Sequence, residues 1–146
     1  MTVRYDEPTA SAKAFNQVIR WLAEAGVSIA GTCALRVRGR KTGQPRTVVV
    51  NLMSVDGRRY LVSPRGNTQW ARNARAAGEV QTGPRWGRRT VRIAEVADAD
   101  KPALLKRYLD RWYWEVKGHV GGLTPQSGDE DIRAVAPSIP VFELFD

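Results

Sequence analysis

Thr32-Cys-Ala-Leu-Arg-Val-Arg38, Gly39-Arg-Lys-Thr-Gly-Gln-Pro-Arg46 and Thr47-Val-Val-Val-Asn-Leu-Met-Ser-Val55 follow one another without a break. In the first run Cys33, Leu35 and Val37 fall on one face and Arg36 and Arg38 on the other, the period of a half-buried strand. The third run is rich in β-branched residues, which suit a pleated, partly buried surface. Between them, eight residues hold three cations, two glycines and a proline, the composition of a tight basic hairpin. Asp56-Gly57 marks a second turn, into a strand over Arg59 to Ser63. Connections this short leave no room for a crossover, so the three strands form an antiparallel meander.

Downstream, Pro64-Arg-Gly-Asn-Thr-Gln69 breaks the sheet, and Asn67 or Thr68 caps a helix that runs to about Ala77 and closes at Gly78. Glu79 to Thr82 and Thr90 to Val96 read as short strands around a second basic turn, Gly83-Pro-Arg-Trp-Gly-Arg-Arg89. A helix starts near Asp98, with Pro102 in its first turn and Leu105, Tyr108, Leu109, Trp112 and Val116 as its apolar stripe. Gly118 to Glu130, glycine-rich and acidic, reads as a mobile loop with the composition of a lid. Ile139 to Phe145 is a last strand, and Pro140 makes it an edge strand or stands as its first residue. Upstream, residues 1–10 read as a loose arm. A helix over 11–25 follows, with Phe15, Val18, Ile19 and Leu22 on one face and Lys13, Gln17, Arg20 and Glu24 opposite. It fits a helix laid on the core, with a basic segment resting on an anionic membrane as the alternative. Six strands interrupted by three helices predict an α+β, mainly β chain: a small antiparallel barrel with peripheral helices, one domain over 1–146.

Composition narrows the chemistry. The formal charge of +8 calls for an anionic partner: nucleic acid, a lipid surface or a polyanionic small molecule. One cysteine, Cys33, forms no internal disulfide and sits in an apolar alternation, as a core thiol does, which points to a reducing cytoplasm. The single histidine, His119, reads as a loop residue without metal-spaced companions, so no metal site is expected. Walker A, Rossmann and nucleophile-elbow motifs are missing. The basic hairpin is therefore the leading anion site, its N–H groups and guanidinium forks suiting phosphate or carboxylate oxygens, with a solvated turn as the alternative. Trp70, Asn73 and Ala74 share a helix face just after the loop that holds Arg65. That face either lines a pocket or packs on the sheet.

The string Gly39 to Arg46, the following strand, Asp56-Gly57, the glycine-containing loop, Trp70-x-x-Asn73 and the Ile-Pro-Val strand resemble the deazaflavin-dependent nitroreductase family of actinobacteria, from about Leu35 to Leu144. The resemblance implies a split β-barrel and coenzyme F420, whose phosphodiester and poly-glutamate tail is polyanionic. It places Arg40, Lys41, Thr42, Gln44 and Arg46 along the tail, and Pro64, Arg65 and Gly66 near the phosphate. Trp70 and Asn73 match cofactor-site positions of the family, and Thr47 and Val48 would pass near the ring. Hydride transfer to an electron-poor small molecule would be the cofactor's chemistry, with Tyr108 and Tyr113 as candidate proton donors. Two departures stand out: Pro64-Arg65-Gly66 replaces Ser-Lys-Gly, losing one hydroxyl, and Thr-Val-Val-Val replaces a strand containing Asn-Pro. Reduction of nitro prodrugs is therefore not implied.

Two other readings remain. The same barrel could hold FMN or another ligand, or the chain could be a non-enzymatic basic protein binding nucleic acid or anionic lipid. Aromatic residues are not interleaved with the basic ones as in a stacking platform, so specific nucleic-acid binding is not expected. The expected location is cytoplasmic, with peripheral membrane contact left open by the N-terminal helix, and the protein is a monomer or homodimer.

Overall fold

The computed structural model describes residues 32–83 and 87–145. The arm at 1–10, the helix over 11–25 with its membrane reading, and the tip of the second basic turn at 84–86 lie outside the described residues. The strands are β1 (Thr32–Arg38), β2 (Pro45–Val55), β3 (Arg58–Val62), β4 (Glu79–Thr82), β5 (Arg89–Glu95) and β6 (Val141–Phe145). The helices are α1 (Gln69–Ala77), α2 (Lys101–Val116) and α3 (Asp129–Val135). They carry out the expected plan: a closed antiparallel barrel in the order β1-β2-β3-β6-β5-β4, with β4 returning to pair with β1 and helices outside.

Alternation along β2 decides which side chains face where. Cross-strand partners share a face, and Cys33 opposes Val50, Leu35 opposes Val48 and Val37 opposes Arg46. This face points into the barrel, where Leu35, Val37, Val50, Leu61, Val80, Val91 and Phe142 form a buried cluster with Ala71 and Ala74 of α1. Burying a side chain the size of Leu61 or Phe142 stabilises by about 1.5–3 kcal/mol. The other face of the sheet carries Met53, Tyr60, Val62 and Val141 into a second cluster beneath α2 and α3, built around Leu105, Tyr108, Leu109, Trp112 and Ile132.

Turn chemistry fixes the connections. Asp56 and Gly57 both take positive φ, 50° and 79°, the hairpin geometry whose twist matches that of the strands. Thr68 caps α1, its hydroxyl accepting from the Ala71 N–H, and Gly78 closes that helix in the left-handed region.

Two expectations are corrected. The stretch from Gly118 to Glu130 is anchored rather than lid-like: Val120 and Leu123 are buried in the second cluster, and the acidic run at its end opens α3. Asp129, Glu130 and Asp131 in that first turn complement the helix dipole, a start signal hidden by the surrounding glycines. The edge placement of β6 also fails. Pro140 stands just before the strand, and β6 pairs with both β3 and β5.

Candidate active site

The outward face of β2 carries Thr47, Val49, Asn51 and Met53. Met53 is covered by the α2 cluster, whereas Thr47 and Val49 are only half covered. Over them opens a cavity of about 480 Å³, walled by β2, the Ser63–Arg65 loop, the start of α1 and the end of α2. Of the residues singled out from sequence, Arg46, Thr47, Val48, Pro64, Arg65, Trp70, Asn73 and Tyr108 line it. Arg40, Lys41, Thr42, Gln44, Gly66 and Tyr113 do not. An extended strand rises about 3.3 Å per residue, so Arg46 and Asn51 stand about 16 Å apart along β2, on its alternate faces. One end is thus cationic and the other carries neutral polar groups and a carboxylate.

At the cationic end the hairpin is rigidly built. Gly39 N–H donates to Gln44 O at 2.8 Å, Gly43 N–H to Gly39 O at 2.9 Å and Gln44 N–H to the Thr42 hydroxyl at 3.2 Å. Arg40 N–H donates to Asn73 Oδ1 at 3.1 Å. The Gly39, Arg40, Gly43 and Gln44 N–H groups are thus engaged within the protein. The positive side chains are what the hairpin offers. The Arg40 guanidinium reaches Asn73 Oδ1 at 2.8 Å and Gln69 Oε1 at 3.0 Å, both neutral oxygens, so its charge is not cancelled there. Lys41, Thr42 and Gln44 are exposed beyond the cavity mouth. Asn73 is buried, accepting from the Arg40 backbone while lining the wall.

Trp70 likewise serves two purposes. Its ring packs on Phe142 of the barrel core, 6.0 Å between centroids and tilted by 54°, and it also walls the cavity. The loop before α1 is tied by hydroxyls: Ser63 Oγ donates to Gly66 O at 2.6 Å, and the Thr68 hydroxyl lies 2.9 Å from Ser63 Oγ. Because Ser63 has spent its proton, Thr68 is the donor of that second bond. Gly66, at φ 100°, turns the chain here, and this keeps Pro64 and Arg65 on the wall.

At the far end, Tyr108 is buried, and burial pushes its hydroxyl pKa up, opposed by the bond from Asn51 and reinforced by the nearby Glu115. The phenol stays protonated and serves as a hydrogen-bond donor, not a base. Asn51 Nδ2 donates to Tyr108 Oη at 3.3 Å and to Glu115 Oε2 at 3.2 Å. Tyr113 is half-buried against the α2 cluster instead. Asn51, Ser63, Gln69, Glu115 and His119 join the wall without having been singled out for it. Asn51 carried a readable signal, as the one carboxamide in the run Thr47 to Val55 and on its outward alternation. Cys33 lies in the barrel with its pKa raised from 9.0 to about 11 by burial, against the lowering charge of Arg59, and is unreactive near neutrality. Among the described residues no group of three His, Cys, Asp or Glu could hold a metal.

Residues 14–117 match the F420H(2)-dependent quinone reductase family. The chain belongs to that family. Members are reductases that use reduced coenzyme F420, and this chain is such an enzyme. The match ends near the end of α2, short of the Leu144 to which the sequence resemblance extended. No curated protein matches the chain. Among solved structures the fold is shared with an Agrobacterium tumefaciens protein of unknown function, at 16% identity and TM-score 0.51 over 98% of this chain. The chain spans 58% of that protein's length. An F420-H2-dependent reductase is similar at 18% identity and TM-score 0.50, covering 78% of this chain and 93% of its own. A NimC/NimA family protein from Clostridium acetobutylicum gives 15% identity and TM-score 0.50 over 94% of this chain and 87% of its own.

The donor set fits the family's coenzyme. Its anionic tail calls for cations at one end of an elongated site and its planar ring for an apolar wall. The cavity offers Arg46 and Arg65 at one end and, beyond them, the strand from Thr47 to Asn51 with Val49 on its outward face and the Trp70 indole beside it.

Proposed function

We propose that the chain is a cytoplasmic, single-domain oxidoreductase passing hydride from reduced coenzyme F420 to an electron-poor small molecule: an enone, a quinone or a nitro compound. The observation that carries this reading is convergence. Arg46, Pro64, Arg65, Trp70, Asn73 and Tyr108 come from four segments of chain and meet on the wall of one cavity.

When bound, the coenzyme supplies the hydride at C5 of its deazaflavin ring. Arg46 and Arg65 would hold the anionic groups of the coenzyme by charge-assisted bonds, and Arg40, Lys41 and Gln44 would extend the cationic path beyond the mouth. The β2 wall and Trp70 would exclude water from the ring. Tyr108, protonated throughout the neutral range, donates to the acceptor's oxygen as negative charge develops there. Pro64 brings no hydroxyl to the site, so the enone and quinone classes are favoured over nitro compounds. The cytoplasmic assignment draws on the one cysteine, which leaves no internal disulfide to form.

Anaerobic turnover of reduced F420 with a quinone, an enone and a nitroarene, followed by the return of deazaflavin absorbance, tests the reading. Oxidation dependent on the first two supports it. No turnover with any acceptor, by folded protein that binds F420, overturns the acceptor assignment. Purification with a bound FMN spectrum and no F420 affinity would replace the coenzyme.

A further inference from the structure

Asn51 is 5% exposed, and its Oδ1 is the buried side-chain polar atom left without a partner among the described residues. Turning the carboxamide over would satisfy that oxygen, because it would then accept the Tyr108 proton. The same turn would press Oδ1 against the Glu115 carboxylate, where Nδ2 now donates at 3.2 Å. Two acceptors at that distance repel. The carboxylate therefore fixes the amide with its NH₂ toward both neighbours, and the unsatisfied Oδ1 is the consequence.

This arrangement has a further effect on Tyr108. Its oxygen receives an N–H from Asn51 at 3.3 Å, so its own proton cannot point at that nitrogen. No acceptor among the described residues takes it. Tyr108, Asn51 and Glu115 all line the cavity.

We propose that Glu115 and Asn51 are positioning residues: Glu115 fixes the Asn51 amide, and the amide turns the Tyr108 O–H into the cavity toward a carbonyl oxygen of the hydride acceptor. The inference rests on the proposed reading of this cavity as the reaction site and adds to it the device that aims the donor. The substrate class it selects is a carbonyl compound conjugated to an alkene, a cyclic enone or a quinone, whose oxygen gains charge on reduction. A ligand presenting only N–H groups at this end would meet a donor and be disfavoured.

The test uses the full chain without coenzyme and cyclohex-2-enone labelled with ¹³C at its carbonyl, read by infrared difference spectroscopy. Bound to wild type, the carbonyl stretch moves to lower frequency, and Tyr108→Phe abolishes the shift. Glu115→Gln allows either amide orientation, so the shift is roughly halved. Asn51→Leu, which leaves Tyr108 no fixed neighbour, broadens and weakens it. Glu115 is exposed, so its variant is expected to fold, and thermal melting verifies this for all three. F420 affinity, from deazaflavin fluorescence, stays within about twofold in Glu115→Gln because the tail lies at the other end. A wild-type carbonyl shift retained in both Glu115→Gln and Asn51→Leu overturns the inference, as does an enone that binds with no shift or fails to bind. Loss of F420 binding by the wild type, with the carbonyl pattern intact, would instead overturn the coenzyme reading alone.

Discussion

Asn73 Oδ1 accepts from both the backbone N–H and the guanidinium of Arg40, at 3.1 and 2.8 Å, and so ties α1 to the basic hairpin. One buried carboxamide oxygen thereby sets where the cationic mouth stands relative to the cavity wall. Asn73→Ala leaves the Arg40 N–H without its partner and should destabilise by about 1–3 kcal/mol, measured by urea unfolding. Faster amide exchange at Arg40 than at Leu61 of the barrel interior would accompany it. An unchanged midpoint would show that the hairpin holds itself.

The loop before α1 depends on Thr68, which donates to Ser63 and accepts from Ala71 N–H. Thr68→Ala removes both and should cost about 1–2 kcal/mol, whereas Thr68→Ser keeps the hydroxyl and most of the stability. Chemical denaturation of the pair separates the hydroxyl from the methyl group.

Gly121 sits at φ 66°, and a Cβ placed there would lie 2.7 Å from Val135 Cγ1. Gly121→Ala should therefore destabilise by about 1–3 kcal/mol through strain and overpacking together. Gly122, also at positive φ but in open space, should suffer the backbone strain alone and lose less. Thermal melting of the two variants compares them, and equal losses would contradict the packing account of the 118–128 segment.

Cys33 gives a pH signature. Its folded pKa is raised from 9.0 to about 11, so the folded state holds the thiol proton more tightly than the unfolded chain does. The resulting stability is fully present below pH 9 and is lost as pH rises from 9 through 11. Wild type should lose stability across that window more steeply than Cys33→Ala. Alkylation by iodoacetamide in the native protein should follow an apparent pKa near 11 and not near 9.

Much of the barrel was legible because period two is a local property: Cys33, Leu35 and Val37 on one side of β1 report a buried face without any knowledge of what buries it. The Asp56-Gly57 turn and the Thr68 and Gly78 caps were equally local. Closure of β4 onto β1 was not, since it depends on pairing between segments more than forty residues apart, Leu35 with Thr82. The helix Asp129–Val135 escaped because seven residues behind a glycine-rich stretch carry too little periodicity to declare themselves. At the site, charges were legible and their partners were not. Arg40 could be seen as a cation, but its bond to Asn73 spans 33 positions. Asn51 and Glu115 lie 64 positions apart, and only the fold brings them beside Tyr108.

On the proposed reading, this cavity and its cationic mouth hold a deazaflavin with a polyanionic tail. Titration of the protein with coenzyme F420, followed by deazaflavin fluorescence, tests it most directly on wild type, Arg46→Ala, Arg65→Ala and the remote Arg92→Ala. Micromolar or tighter binding is predicted for wild type, weakened about ten- to hundredfold by each of the first two changes and unaffected by the third. No binding by folded wild type, or equal weakening by all three substitutions, would contradict it.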